Sequence, residues 1–305
     1  MGGKRRPWSA APGDGDALLA HLTEAALLGL LAAVAYGTSD FAAGVASRRF
    51  ASGPVTAVAQ VFGLATAALA VLVFPGTSPT TPVLVWGAIS GVGGGLGTLS
   101  LYRGLSVGAM SVVATLSAVL TAVIPAVVGL GFGEHLSTAA EAGIGIAIPA
   151  IALVSWQPRS SRPGGGRAGV VYGLVAGVGF ALLFIALDRA GTHAGAWPLL
   201  PGQGVSLLVV APFARRAFVD DDDAKNARGA AVAPAIGAGV LGGTANLLFL
   251  AATGRGQLAV VAVLTALYPA VTVLLARVFL AERWTRLQAA GLLTAAAAIA
   301  LVSAG

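Results

Sequence analysis

The chain carries one unit twice. Displacing the sequence by 148 residues lays Ser111–Ser155 on Ala259–Ser303 without a gap, and 17 of the 45 paired positions are identical. Val112-Val113-Ala114 falls on Val260-Val261-Ala262, Glu134 on Glu282, Gly143 on Gly291, and Ile151–Ser155 on Ile299–Ser303. The same displacement pairs Gly29 with Gly177, Asp40 with Asp188, and Gly94-Gly95 with Gly242-Gly243. One offset from the first apolar run to the last means two copies of a single unit, each about half the chain.

Composition says where the unit lives. Only 10% of the 305 residues are charged and 57% are hydrophobic, against roughly a quarter charged in a soluble domain. So few charges cannot cover the surface of a soluble fold this size, so lipid has to take their place. The net charge of +6 comes from 18 Lys and Arg that sit mostly in short connectors, an arrangement suited to anionic headgroups and not to nucleic acid. The absence of cysteine removes disulfides, thiolate metal sites and Cys nucleophiles together. His135 and His193 are lone and lack metal-ligand spacing, so neither a metal nor a cofactor is expected.

A membrane-crossing helix needs about 20 apolar residues. Ten runs meet that measure, at approximately 25–46, 55–74, 83–103, 109–131, 138–156, 169–190, 199–218, 231–252, 258–280 and 286–303. Trp86, Trp156, Trp197 and Trp284 fall near run ends, where amphipathic rings prefer the headgroup layer. The expected organisation is a polar tail (1–23), a five-helix repeat (24–156), a linker (157–168) and a second five-helix repeat (169–305). Lys4-Arg5-Arg6 before an apolar run resembles a signal peptide, but the run is long enough to span and is read as a retained helix.

An odd number of spans per copy forces the second copy to enter the membrane from the opposite face. The fold class expected is therefore an all-α membrane protein of ten transmembrane helices in two inverted five-helix repeats. Secondary transporters are commonly built this way, with a site near the midplane where the copies meet. Most basic residues in the connectors, Arg48-Arg49 and Arg159–Arg167 among them, fall on one side; Lys4, Arg5, Arg6, Arg189 and Arg255 fall on the other. The positive-inside rule then puts both termini outside the cytoplasm.

Three passages resemble the EamA type of the drug/metabolite transporter superfamily. The first run reads Tyr36-Gly37-Thr38-Ser39-Asp40-Phe41, similar to the family's aromatic-Gly start. Leu101–Leu105 through Ala109–Val113 is similar to its passage between the third and fourth helices. Gly133-Glu134 and Ala281-Glu282-Arg283 resemble its Gly-Glu-Arg closures. Tyr36 stands where the family has Trp, and Ile185 stands in the second copy where the first has Gly37. The resemblance covers about 25–303 and implies ten helices and a transporter, often an exporter of amino acids or other small metabolites.

Asp40 and Asp188 are the sharpest functional candidates. Each follows an aromatic ring by four residues, Tyr36 and Phe184, so ring and carboxylate share a helix face. A carboxylate at membrane depth costs several kcal/mol unless it meets water or a partner. It can couple protons or bind an amine, with cation–π help from the ring; alternatively it is a helix-end charge paired with a neighbouring Arg. Tyr102, Arg103, Asn246 and Tyr268 are further substrate-binding or coupling candidates, Asn246 being equally suited to interhelical bonding. Pro125 and the Tyr268-Pro269 pair fall mid-helix, where proline frees a backbone carbonyl. Gly87, Gly91 and Gly95, with Ala235, Gly239 and Gly243 in the second copy, form small-xxx-small stripes that belong to helix packing. Glu134 and Glu282 are read as structural turn residues that accept N–H groups opening the next helix. Asp220–Asp223 is one acidic run in a connector and is read as solvated.

These features point to a secondary transporter of a small organic metabolite, outward-directed and working by alternating access, with proton coupling one use of its carboxylates. Its cavity is expected between helices 1, 3 and 4 of one copy and 6, 8 and 9 of the other. An organic-cation or amine efflux transporter is the alternative, followed by an intramembrane lipid-modifying enzyme and a non-transporting scaffold. No catalytic constellation and no nucleotide-binding G-x-x-x-x-G-K-[ST] loop occurs, so no enzyme is expected. The partners expected are a small solute and the lipid of the cell membrane. Monomer and homodimer are both open.

Overall fold

Backbone N–H and C=O groups in hydrocarbon have only their own protein to bond with, which leaves helix as the solution for a chain this apolar. The computed structural model describes residues 14–107, 110–133, 136–154, 166–191, 193–219, 225–280 and 286–304, and the described residues are helical apart from short connectors. The helices are α1 (Asp14–Arg49), α2 (Ser52–Val73), α3 (Thr81–Val107), α4 (Met110–Gly131), α5 (Thr138–Val154) and α6 (Gly166–Ala190), then α7 (Leu199–Val219), α8 (Lys225–Thr253), α9 (Leu258–Thr265), α10 (Tyr268–Leu280) and α11 (Arg286–Ala304). Five stretches, Thr23–Ser47, Ser52–Val73, Thr81–Gly104, Ala168–Ala190 and Ala231–Thr253, are long and apolar enough to cross a membrane. Five more apolar helical stretches are shorter. Glu134, His135, Glu282 and Asp220–Asp223 lie outside the described residues.

Two elements differ from the sequence expectation. Helix α1 begins at Asp14, so part of the supposed polar tail is already helical, its Ala and Leu residues being good helix formers. The ninth run is broken. Pro269 has no N–H to return to Thr265, and helix α9 closes with the Ala266 N–H on the carbonyls of Ala262 and Leu264. Helix α10 then starts afresh at Tyr268, with proline in its first turn where the missing donor costs nothing. Pro125, by contrast, sits inside an unbroken α4.

Several threonines in the apolar helices are satisfied within their own helix. Thr56, Thr66, Thr121, Thr244 and Thr294 each donate a hydroxyl to the carbonyl four residues back. Large apolar side chains face outward instead: Leu72 is 80% exposed, Leu293 75%, Leu208 72% and Phe279 70%. So much exposed hydrocarbon on a folded chain is a lipid-facing belt.

The two halves pack through one another. Helix α1 lies along α8 and α3 along α6; α3 also packs on α7 and α2 on α8; α2 meets α7, α4 meets α9, and α5 meets α11. The glycine stripes set these crossings. A Cβ on Gly91 would strike the Gly202 carbonyl, and one on Gly239 the Ala59 carbonyl. A Cβ on Gly95 would come within 3.0 Å of Ser206 and Val209, and one on Gly243 within 2.9 Å of Thr66. The stripe on α3 thus seats α7, and that on α8 seats α2, with backbones in contact. The second copy follows the first at the other crossings as well, since Gly29 rests on Thr265 and Gly177 on Ser117.

Gly239→Val drives a branched side chain into the α2 backbone and should cost about 1–3 kcal/mol, seen as a lower unfolding temperature of the purified protein in detergent. Gly44 has nothing within 4 Å of its Cβ position. Gly44→Ala should leave that temperature unchanged or raise it.

Candidate functional site

The glycines that allow helices to touch also leave space beside each crossing. A cavity of about 80 Å³ opens between α1, α2, α3, α6, α7 and α8, with single residues from α4 and α10. This is room for several waters or a small solute. Both halves contribute wall on every side, with Gly91 and Gly94 of α3 facing Gly239 and Gly242 of α8.

Six sequence candidates meet here: Tyr36, Asp40, Tyr102, Phe184, Asn246 and Tyr268 all line the cavity. Tyr36 is central. Its hydroxyl donates to Asn246 Oδ1, and its ring lies 5.9 Å from that of Phe184 and 6.5 Å from that of Tyr268. Phe184 is backed by Phe249 in a stacked pair at 4.1 Å, so the aromatic wall is held from behind. Asp40 shares the chamber wall with Tyr36, Tyr102 and Tyr268. Helix α1 is pinned beside it by Ser39 Oγ on the Ala238 carbonyl at 2.8 Å and by Thr272 Oγ1 on the Gly37 carbonyl at 3.0 Å. Gly37 lets α10 approach, since a Cβ there would meet Val271 at 2.6 Å.

Two candidates are elsewhere. Asp188 is outside the cavity lining although Phe184 is in it. Helix α6 ends at Ala190, two residues on, whereas α1 continues from Asp40 to Arg49. The carboxylate that repeats in sequence therefore stands at a helix end in one copy and within a helix in the other. Arg103 is exposed at the end of α3 and also outside the lining.

Helices 2 and 7 were missing from the expected cavity, and they supply Gln60 and Gln203. Both are buried, at 7% and 8% exposure. Gln60 Nε2 donates to Thr98 Oγ1 at 3.1 Å. Ser39, Ser90, Thr98, Thr121 and Ser206 complete the polar lining, and no Lys, Arg or His lines the cavity among the described residues. A polar residue inside an apolar run was the available signal. The 148-residue displacement hid the pair by laying Gln60 on Leu208.

One end of the bundle is tied across the halves. Thr77 N and Oγ1 both donate to the His193 carbonyl at 3.0 Å, and Ala196 N donates to the Phe74 carbonyl at 3.0 Å. Gly76 and Gly195, at φ +57° and +58°, let these two connectors touch backbone to backbone. At the same end Arg255 Nε meets Glu24 Oε2 at 3.3 Å. The Arg189 guanidinium lies 5.8 Å from the Trp86 ring centre and 4.4 Å from that of Phe132.

A lipid-facing helical bundle around a polar chamber, with small residues at its crossings, defines a multi-pass membrane protein of transporter type. Residues 167–304, the C-terminal part of the chain, match the model of the EamA-like transporter family, within the drug/metabolite transporter superfamily. One solved crystal structure, 19% identical, aligns with 91% of this chain and 95% of its own at a TM-score of 0.65, which shows a shared fold. No curated protein matches the chain.

The cavity separates wet from lipid-facing positions only two residues apart on α8. In this cysteine-free chain, Gly242→Cys faces the chamber and should react with a charged, water-soluble thiol reagent. Val240→Cys, at a position 42% exposed toward lipid, should not, because a thiol in hydrocarbon does not ionise. Mass spectrometry of the labelled protein in vesicles reads both.

Proposed function

We propose that the protein is a secondary transporter of a small amine-bearing or cationic organic solute, bound at Asp40 and moved by alternating access. The observation that carries this reading is the chamber's charge pattern. One carboxylate stands among aromatic rings, and no cationic side chain lines the wall among the described residues. An unpaired carboxylate there favours a cation over an anion, and ring faces add attraction for it. Proton coupling is the second use of the same carboxylate: a solute cation and a proton compete for Asp40, which exchanges one for the other. The family's members support outward movement, and the basic connectors support a cytoplasmic-membrane location with both termini outside.

The architecture behind this reading is ten crossings, with α9 and α10 counted as one broken helix, in two inverted repeats. Mirrored packing supports it. Helix α1 lies on α8 as α6 lies on α3, α2 on α8 as α7 on α3, and α2–α7, α4–α9 and α5–α11 each join counterparts. In that arrangement the tied end is the closed gate, and its connectors part when the chamber opens there.

Asp40→Asn should abolish solute protection or efflux in a sensitive host screened with amines, polyamines and cationic dyes. Asp188→Asn should retain at least half of it. Equal loss in both variants, or in neither, would sink the assignment of the binding carboxylate to Asp40. Gating has its own test: the Thr77→Cys/His193→Cys pair should lose transport under oxidant and recover it under reductant. Full transport by the cross-linked protein would show that this end does not open.

A further inference from the structure

The chamber's hydrogen-bonding groups divide into those already engaged and those left over. Ser39, Ser90, Thr98 and Thr121 donate to backbone carbonyls, Tyr36 to Asn246, and Gln60 to Thr98. Gln203 makes no hydrogen bond to any described residue; Ser206 Oγ, one turn along the same helix, and Tyr268 Oη on α10 are buried without a partner. The Gln203 amide borders the chamber, so its donors and acceptor are open to whatever occupies that space. The Gln203 side chain lies flat on Gly63, whose absent Cβ would come within 3.1 Å of the amide carbon and oxygen.

The mirrored glutamine shows what a structural role looks like. Gln60 and Gln203 are counterparts by contact, since Ala59 meets Gly239 just as Gly202 meets Gly91. Gln60 bonds Thr98, and the residue matching Thr98 at the 148-residue displacement is Asn246. Asn246 is held by Tyr36 instead. Divergence of the copies has left the α7 amide facing the cavity with both its donor and its acceptor to offer.

We infer that Gln203 and Ser206 form a second recognition pole, which binds a neutral hydrogen-bonding group (hydroxyl or carboxamide) on the solute whose amine is held at Asp40. This rests on the cation reading above and adds a specificity-determining residue to it. Asp40 on α1 and Gln203 on α7 belong to different halves, so a bipolar solute bridges the two bodies that must move relative to one another. An amine with a plain alkyl end reaches one pole only.

Isothermal titration of the purified protein with butylamine and 4-aminobutanamide tests this directly. The wild type should bind the amide more tightly. Gln203→Leu should weaken the amide by about tenfold, the scale of one or two neutral hydrogen bonds, and leave butylamine unchanged. Gly63→Ala, which crowds the amide without removing it, should move binding in the same direction. Retained butylamine binding reports that each variant is folded. Equal weakening of both probes by Gln203→Leu, or of neither, overturns the second pole and leaves the Asp40 site standing. A wild type that binds neither amine overturns the cation reading, and this inference with it.

Discussion

Helices in hydrocarbon gain little by hiding leucine from one another, because the lipid is as apolar as the neighbour. Association rests on close contact, and the closest contact is backbone on backbone. Gly91 on Gly202 and Gly239 on Ala59 are contacts of that kind, and the rest of the structure depends on them. They join α3 to α7 and α8 to α2, so each crossing links one half of the chain to the other. The same residues line the chamber, because a helix face stripped of side chains that touches its partner at one level leaves a hollow at the next. Packing and cavity are two results of one choice of residue. That is why the chamber lies between the halves and within neither.

The glycines on which the two copies agree hold helices together and form part of the chamber wall, and several polar and aromatic positions of that wall are where the copies differ. Gly29 and Gly177 rest on Thr265 and Ser117, one arrangement used twice. Tyr36 and Phe184, by contrast, share a position and differ by a hydroxyl, and that hydroxyl holds Asn246. Thr98 stands where the other copy has Asn246, and Leu120 where it has Tyr268. A carboxylate near the midplane is expensive, and a second would repel the first. The copy that keeps Asp40 in the wall has its counterpart at the end of α6. Symmetry supplies the frame, and its local loss supplies the polar and aromatic differences between the two sides of the chamber.

The helical runs were legible because the bilayer leaves one solution for a long apolar segment, and only the start of α1 and the break before Tyr268 departed from the reading. Pro269 was visible, but whether a proline interrupts a helix depends on its neighbours: Pro125 leaves α4 unbroken, and at Pro269 α10 has to pass over Gly37 of α1. The aromatic wall was legible from spacing, since Tyr36 and Asp40 share a face by helix geometry alone. The same rule misled at Asp188, where it fixes direction around the helix but not where the helix stops. Gln60 and Gln203 escaped because α2 and α7 are related by 143 residues while their neighbours are related by 148. The difference lies in the α1 and α6 ends and connectors, and only contacts across the fold reveal it.

The tied end is held by many small interactions and no large one. The Glu24–Arg255 pair is solvent-exposed on both sides and is worth about 0–1 kcal/mol. Arg189 over exposed rings adds about 0.5–1 kcal/mol, and the hydrogen bonds between the two connectors about 0.5–1.5 kcal/mol each. Together these hold the two connectors against one another by a few kcal/mol. The linkage to the chamber is short. Phe184 and Leu187 line it, and Arg189 follows on the same helix before the chain enters the connector that carries His193 and Ala196. A solute that pushes the α6 wall therefore acts within one helical turn of the contacts that keep this end closed. Under the alternating-access reading proposed above, binding energy realised at the rings is available where the tied end would have to part, and that end is held weakly enough for it to matter.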